Sequence, residues 1–411
     1  MICGAWQSSE RFSEVNDVEK TKKPAIRFDG FCSEWTKYEI RDFIEDYTEK
    51  TTVQNQYPVL TSSQQQGIVF QEEYFADRQV TTSENVGYFI LPFGFFTYRS
   101  RSDNSVFVFN RNDIIDRGII SYYYPVFHPN NIDSNFLLRR LNVGTAKQIV
   151  KIVEGTGQKV LNHDKFKKLS ISVPDEKECA KIGSFFETID QQITLAQQKY
   201  DKLLTFKKSM LEKMFPQNGA KVPEVRFAGF AEDWELRKCG DVMDESREIG
   251  HKGDKAKKIT VKLWGKGVYV KNEDGSKNTQ YYIRHKGQFI YSKLDFLNSA
   301  FGVVPEELEN YETTADVPAF DCNEINPYFM YYIAIQKNFY LKNGIIADGS
   351  RKAKRIHADT FLEMPLMVPT IEEQNKIVEY LQSFDNLITL YQQELEKLKN
   401  IKSALLEKMF V

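Results

Sequence analysis

Two stretches of this chain repeat apolar residues at alternating steps of four and three. In the first they are Ile182, Phe186, Ile189, Ile193, Ala196, Tyr200, Leu203, Met210 and Met214. In the second they are Ile377, Leu381, Phe384, Ile388, Tyr391, Leu395, Leu398, Leu405 and Met409. The one seam position missing from both series is a lysine, Lys207 and Lys402. An apolar period of 3.5 residues predicts a coiled-coil seam, and roughly 40 residues rising 1.5 Å each predict a rod of about 60 Å. Asp175 and Thr370 each follow a proline and precede a glutamate by three residues, Glu178 and Glu373. That spacing predicts capping-box helix starts in the same register. Lys207 and Lys402 either snorkel out at the end of the rod or fix its register.

The two seams are copies. Residues 176–215 recur as 371–410 at a constant offset of 195, with 17 of 40 identities, and both close on "LEKMF". Upstream, "KPAIRFDGFCSEW" (Lys23 to Trp35) recurs as "VPEVRFAGFAEDW" (Val222 to Trp234). The chain therefore holds two cassettes, each with a fixed opening, a variable body and a fixed helical close, joined through "PQNGAKVPEV". The bodies carry short β-prone runs such as "GYFILPFGFFTYRS", "NSVFVFN", "GVYV" and "GQFIYSKL", interrupted by helical stretches such as "NPYFMYYIAIQKNFYL". The expected class is α+β: two mixed globules and two long helices pairing as an antiparallel coiled coil about a pseudo-twofold axis. Antiparallel pairing is favoured because a parallel pair would crowd both cassettes at one end. The boundaries read as a flexible leader over 1–22, globules over 23–173 and 217–368, and helices over 174–216 and 369–411.

Composition removes several alternatives. No apolar run approaches the roughly 18 residues of a membrane span, and the five cysteines, far apart, predict reduced thiols in a cytoplasmic protein. Net charge is only −2, so nucleic-acid binding would need uneven distribution. Such unevenness is present. Residues 131–169 hold Arg139, Arg140, Lys147, Lys151, Lys159, Lys165, Lys167 and Lys168 against Asp133, Glu154 and Asp164. Residues 252–286 hold ten basic side chains against three acidic, whereas 297–325 hold seven acidic and no basic ones. "GSRKAKRIH" packs Arg351, Lys352, Lys354 and Arg355 together, and the 195 offset lays Lys159 on Lys354. The candidate phosphate contacts are Arg139, Arg140, Lys147, Lys151, Lys159, Lys168, Lys293, Arg351, Lys352, Lys354 and Arg355. The competing reading of these runs is solvated surface.

Catalytic signatures are missing. There is no GxxxxGK[ST] phosphate loop, no GxSxG elbow and no Cys/His/Asp cluster at ligand spacing. "NPYF" (Asn326 to Phe329) resembles an amino-methyltransferase tetrapeptide, but a helix start explains it better. "PDEKECAK" offers nuclease-type carboxylates, yet its copy "PTIEEQNK" replaces Asp175 by an equally good capping threonine.

The openings "RFDGF…EW" and "RFAGF…DW", the glycine/lysine loops ahead of "ISVP" and "LMVP", and the helices ending "LEKMF" resemble the DNA specificity subunit of type I restriction-modification enzymes. The resemblance covers the chain after about Lys22. It implies that each body is a target recognition domain reading one half of a split, asymmetric sequence in double-stranded DNA. The helices would set the half-site spacing and dock two modification subunits, which bind S-adenosylmethionine. Restriction subunits would bring ATP and Mg, leaving this chain with no cofactor of its own and no catalysis. A bivalent coiled-coil scaffold for other proteins is the rival reading.

Overall fold

A computed structural model describes residues 23–75, 84–217, 219–345, 348–350 and 353–410. The expected leader over 1–22 lies outside the described residues. The chain divides into two compact units, Met1–Ala196 with Glu394–Val411, and Gln197–Gln393. Each unit thus combines one body with part of both long helices, Glu176–Lys213 (the central helix) and Ile371–Met409 (the closing helix).

The bodies, whose sequences diverge, share one frame. In the first unit the strand Thr36–Glu39 pairs antiparallel with Ser170–Val173, immediately before the central helix. In the second, Glu235–Lys238 pairs with Pro365–Val368 in the matching register. A four-stranded sheet follows in both: Ile44–Tyr47, Phe96–Tyr98, Phe109–Arg111 and Val126–Pro129, against Met243–Ser246, Phe289–Tyr291, Phe301–Val303 and Ala319–Cys322. Both sheets stand in the spatial order first, fourth, second, third. Phe96-Thr97-Tyr98 and Phe289-Ile290-Tyr291 are buried at every residue, so both faces of these central strands are covered. "NSVFVFN" contributes less strand than its composition suggests, since only Phe109 and Asn110 of it enter the ladder.

A helix then closes the sheet, Ser134–Asn142 or Pro327–Ala334, capped by Asp133 or Asn326. The Asn326 side chain accepts from the backbone N–H groups of Tyr328 and Phe329, so "NPYF" is a helix cap, with proline in the first turn. The apolar stretch through Leu341 breaks into two helices, Pro327–Ala334 and Lys337–Gly344.

The repeated words find their purpose in the cores. In the first unit Phe410 packs against Trp35, Phe136 and Phe186. In the second Phe215 packs against Trp234 and Phe329. Each "LEKMF" therefore plugs a core roofed by the tryptophan of the opening motif. The opening arginines are clamps: Arg27 Nε and Nη2 both donate to Glu178 at 2.6 Å, and Arg226 donates to Glu373 at 2.7 and 2.8 Å. Glu178 and Glu373 are buried. The predicted capping box is thus half used. Asp175 accepts from the Glu178 N–H at 2.9 Å, while the Glu178 carboxylate turns to Arg27.

Within each unit the long helices run antiparallel. In the first, Asp190 pairs with Lys402 at 2.5 Å while Phe186 meets Phe410. In the second, Lys207 pairs with Asp385 while Lys199 lies over the Tyr391 ring at 5.7 Å. All the predicted seam residues are buried or half-buried, the two lysines included. Lys207–Asp385 and Lys402–Asp190 are the same ion pair written twice, each partner displaced by 195 residues. Each seam lysine thus faces an aspartate of the other helix, a pairing that suits a register role.

Candidate nucleic-acid interface

In the first unit, Arg139 and Arg140 are corrected out of the contact set. Arg140 is only 4% exposed; its guanidinium donates to the carbonyls of Ser172 at 3.1 Å and Val143 at 2.9 Å. Burial lowers its pKa to about 10, and a side chain so enclosed has no path to a phosphate. Arg139 is held by Asp190 of the central helix, and burial lowers its pKa too. Both arginines tie the body's helix to its frame. Sequence could not separate them from surface cations, because a buried arginine satisfied by carbonyls leaves no local signature.

The remaining cations of that run lie outside the core. Lys147 and Lys151 are exposed one turn apart on the helix Ala146–Ile152, and Lys168 is exposed after the helix His163–Lys167. Lys159 sits on a tight turn closed by mutual hydrogen bonds between Glu154 and Val160, its ammonium 2.5 Å from the Gly155 carbonyl. Lys165 and Lys167 are occupied by Glu154 and Asp46.

In the second unit the position equivalent to Lys159 is also a hairpin, Asp348–Ser350 with Ala353–Arg355, in which Gly349 faces Lys354. Arg351 and Lys352 lie outside the described residues. Arg355 is exposed, with Asp316 at 4.0 Å. The Lys293 carbonyl accepts from the Ile356 N–H at 3.1 Å, so Lys293 and Arg355 flank one point of the surface. The strand carrying Lys159 and the strand carrying Lys354 thus stand at the same station of the two frames, each just ahead of a short helix, His163–Lys167 or Ala358–Leu362.

Sequence singled out residues 252–286 by charge but chose no residue there. The structure resolves that run into the hairpin Ile259–Val261 with Val268–Val270, whose tip carries Lys262, Leu263, Trp264, Gly265 and Lys266. An aromatic residue between lysines was the available signal. Among the described residues no group of three or more His, Cys, Asp or Glu could hold a metal ion, and no helix is long and apolar enough to cross a membrane. Cys179 and Cys239 are buried and unpaired, their thiols pushed up to about 12 by burial, which leaves them protonated and unreactive.

The family model for the type I restriction modification DNA specificity domain matches this chain twice, over residues 32–205 and 231–400. The chain belongs to that family. Among curated relatives it is 21% identical, over 277 residues, to the type I restriction enzyme MjaVIII specificity subunit of Methanocaldococcus jannaschii, covering 62% of this chain and 64% of that one. It is 30% identical over 208 residues to the putative type I restriction enzyme MjaX specificity subunit of the same organism, covering 44% and 46%. The matches thus span less than two thirds of either relative. Among solved structures, the type I restriction-modification S subunit from M. genitalium superposes with a TM-score of 0.60 at 12% identity, over 95% of this chain and 99% of that one. That likeness concerns the fold. Both matched segments of the family model run from just before the frame's first strand into a long helix.

Proposed function

We propose that this chain is the sequence-reading subunit of a type I restriction-modification complex in the cytoplasm. Each unit reads one half of a bipartite, asymmetric target in double-stranded DNA. The observation that carries this reading is one frame built twice, with unlike decoration on its two copies. Shared frames hold two reading heads in related poses, and unlike decoration makes the halves of the target differ. Lys147, Lys151, Lys159, Lys168, Lys293, Arg351, Lys352, Lys354 and Arg355 supply sequence-independent phosphate contacts.

The chain contributes no catalysis in this reading. Two modification subunits bring S-adenosylmethionine and transfer the methyl group, and restriction subunits bring ATP and Mg. The helices offer anchors for the modification subunits. Leu195 and Ile401 are exposed in the first unit, and their 195-residue counterparts Leu390 and Phe206 are exposed in the second. Twice-written exposed apolar positions on a helix pair suit two identical partners.

The test is to map methylated adenines in DNA from cells carrying this chain and its modification partner. A split motif with a fixed spacer is expected, and inserting a heptad in both helices should change the spacer alone. DNA without a split motif, together with salt-insensitive binding of the chain to other proteins only, would support the bivalent scaffold instead.

A further inference from the structure

We infer that the hairpin tip of the second unit is a preformed aromatic wedge, with Trp264 stacking on bases of the target while Lys262 and Lys266 grip the adjoining phosphates. This deepens the DNA-reading function proposed above and rests on it.

The conformation is the first observation. Trp264 and Gly265 both have φ +62°, successive left-handed residues in a loop closed by the Lys262 N–H on the Gly267 carbonyl at 2.8 Å; glycine and asparagine are the usual occupants of that region. A bulky L-residue in this region is a rare outlier and marks a site held for a reason other than local stability. The second observation is rigidity. The Trp264 and Gly265 N–H groups donate to the carbonyls of Asn298 and Ser299, each at 2.8 Å. The Tyr331 hydroxyl donates to the Gly265 carbonyl at 2.6 Å, and a Cβ on Gly265 would stand 2.8 Å from Ile335 Cγ2. The turn is therefore bolted to the frame while Trp264 as a residue is 61% exposed. Trp35 and Trp234, by contrast, are 1% and 2% exposed.

Charge selects the partner. Lys257, Lys262, Lys266 and Lys271 are all exposed on or beside this hairpin, within a run of ten basic and three acidic residues. Lys262 lies over the Tyr269 ring at 5.2 Å, which keeps that ammonium on the hairpin face. An exposed tryptophan flanked along the loop by Lys262 and Lys266 complements phosphates with bases between them better than a protein surface, whose acidic residues would have to be matched one by one. Wedges of this kind unstack a step and let the duplex follow the protein.

The test uses the complete chain with its modification subunits and a labelled duplex bearing the motif found by methylation mapping, beside a duplex with the second half-motif scrambled. Trp264→Ala should weaken motif binding about 10- to 100-fold, the range of one lost base stack, and leave scrambled-duplex binding within about 3-fold. Trp264→Phe should keep most of the affinity. Trp264→Asn relieves the left-handed turn, so it should melt no lower than the parent and still lose the motif. Lys262→Gln with Lys266→Gln should weaken both duplexes alike and reduce the salt slope by about two. Motif binding unchanged in Trp264→Ala and Trp264→Asn would overturn the inference. So would loss of co-purification with the modification subunits, which would make Trp264 a protein anchor. A parent complex that fails to discriminate the two duplexes would instead bring down the DNA-reading function, and the wedge with it.

Discussion

The two units carry a hairpin at the same station, between the first and second strands of the four-stranded sheet. In the first unit it is Leu60–Ser63 with Gly67–Phe70, and its tip is Gln64-Gln65-Gln66. In the second the tip is Leu263-Trp264-Gly265-Lys266. One tip is uncharged and amide-rich, its backbone steadied by the Ser63 hydroxyl, which accepts from the N–H groups of Gln65 and Gln66 at 3.2 Å. The other is aromatic and cationic. Around these tips the frame is duplicated down to single contacts: Arg27–Glu178 with Arg226–Glu373, Trp35–Phe410 with Trp234–Phe215, Lys402–Asp190 with Lys207–Asp385. The contacts that hold the frame recur in both units, whereas the tips differ. Amides can pair with base edges in the major groove, whereas an indole stacks on base faces, so in the proposed function the two tips would engage DNA by different chemistry.

That contrast can be broken in order of severity. Exchanging the body between residues 239 and 364 for one from another specificity chain should replace one half of the methylated motif and leave the other untouched. A change in both halves would mean that the frame reads sequence too. Next come the core plugs. Phe410→Ala and Phe215→Ala should each cost about 3–5 kcal/mol in urea unfolding, the usual range for a buried phenylalanine. Strongly unequal losses would show that the duplicated contacts are not energetically equivalent. Glu178→Ala and Glu373→Ala each leave an arginine that is 12% or 15% exposed without its carboxylate, and should cost about 3 kcal/mol. Lys207→Met and Lys402→Met remove half-exposed ion pairs and should change stability by no more than about 1 kcal/mol. Their effect belongs in helix register, read as altered spacer fidelity in the methylation map.

The same contrast decides what was legible in the sequence. Helix starts, seam positions and the duplicated openings could be read because each obeys a local rule, a cap or a period, that tertiary context did not override. The shared strand order could not, because Phe96–Tyr98 and Phe289–Tyr291 are only three residues long and buried on both faces, too short to show a period. The pairing of Arg27 with Glu178 spans 151 residues, and nothing near either residue announces it. Charge counting cannot tell a buried cation from an exposed one. Arg139 and Arg140 look like Lys147 and Lys151 in a string of letters, but two point inward and two outward.

The smallest expected effect sharpens the comparison through pH. In the first unit His163 lies among Tyr98, Phe127 and Phe166, and burial lowers its pKa despite Asp46 at 2.9 Å. In the second unit His285 bridges Glu248 and Glu309, both at 2.8 Å, and these carboxylates raise its pKa. The signs oppose. Below the unfolded value of about 6.5 the unfolded chain binds a proton that His163 refuses, so the first unit should lose stability as pH falls from there. His285 stabilises its unit fully below about 6.5 and less as pH rises through its raised folded value. Hydrogen exchange followed separately in each unit between pH 5 and 8 should show the first unit loosening at the acid end and the second at the alkaline end. His163→Gln should flatten only the first slope and His285→Gln only the second. Parallel slopes in both units would mean that other groups govern their titration. The effect at His285 should be the weaker, since its ring is 38% exposed and solvent screens both carboxylates.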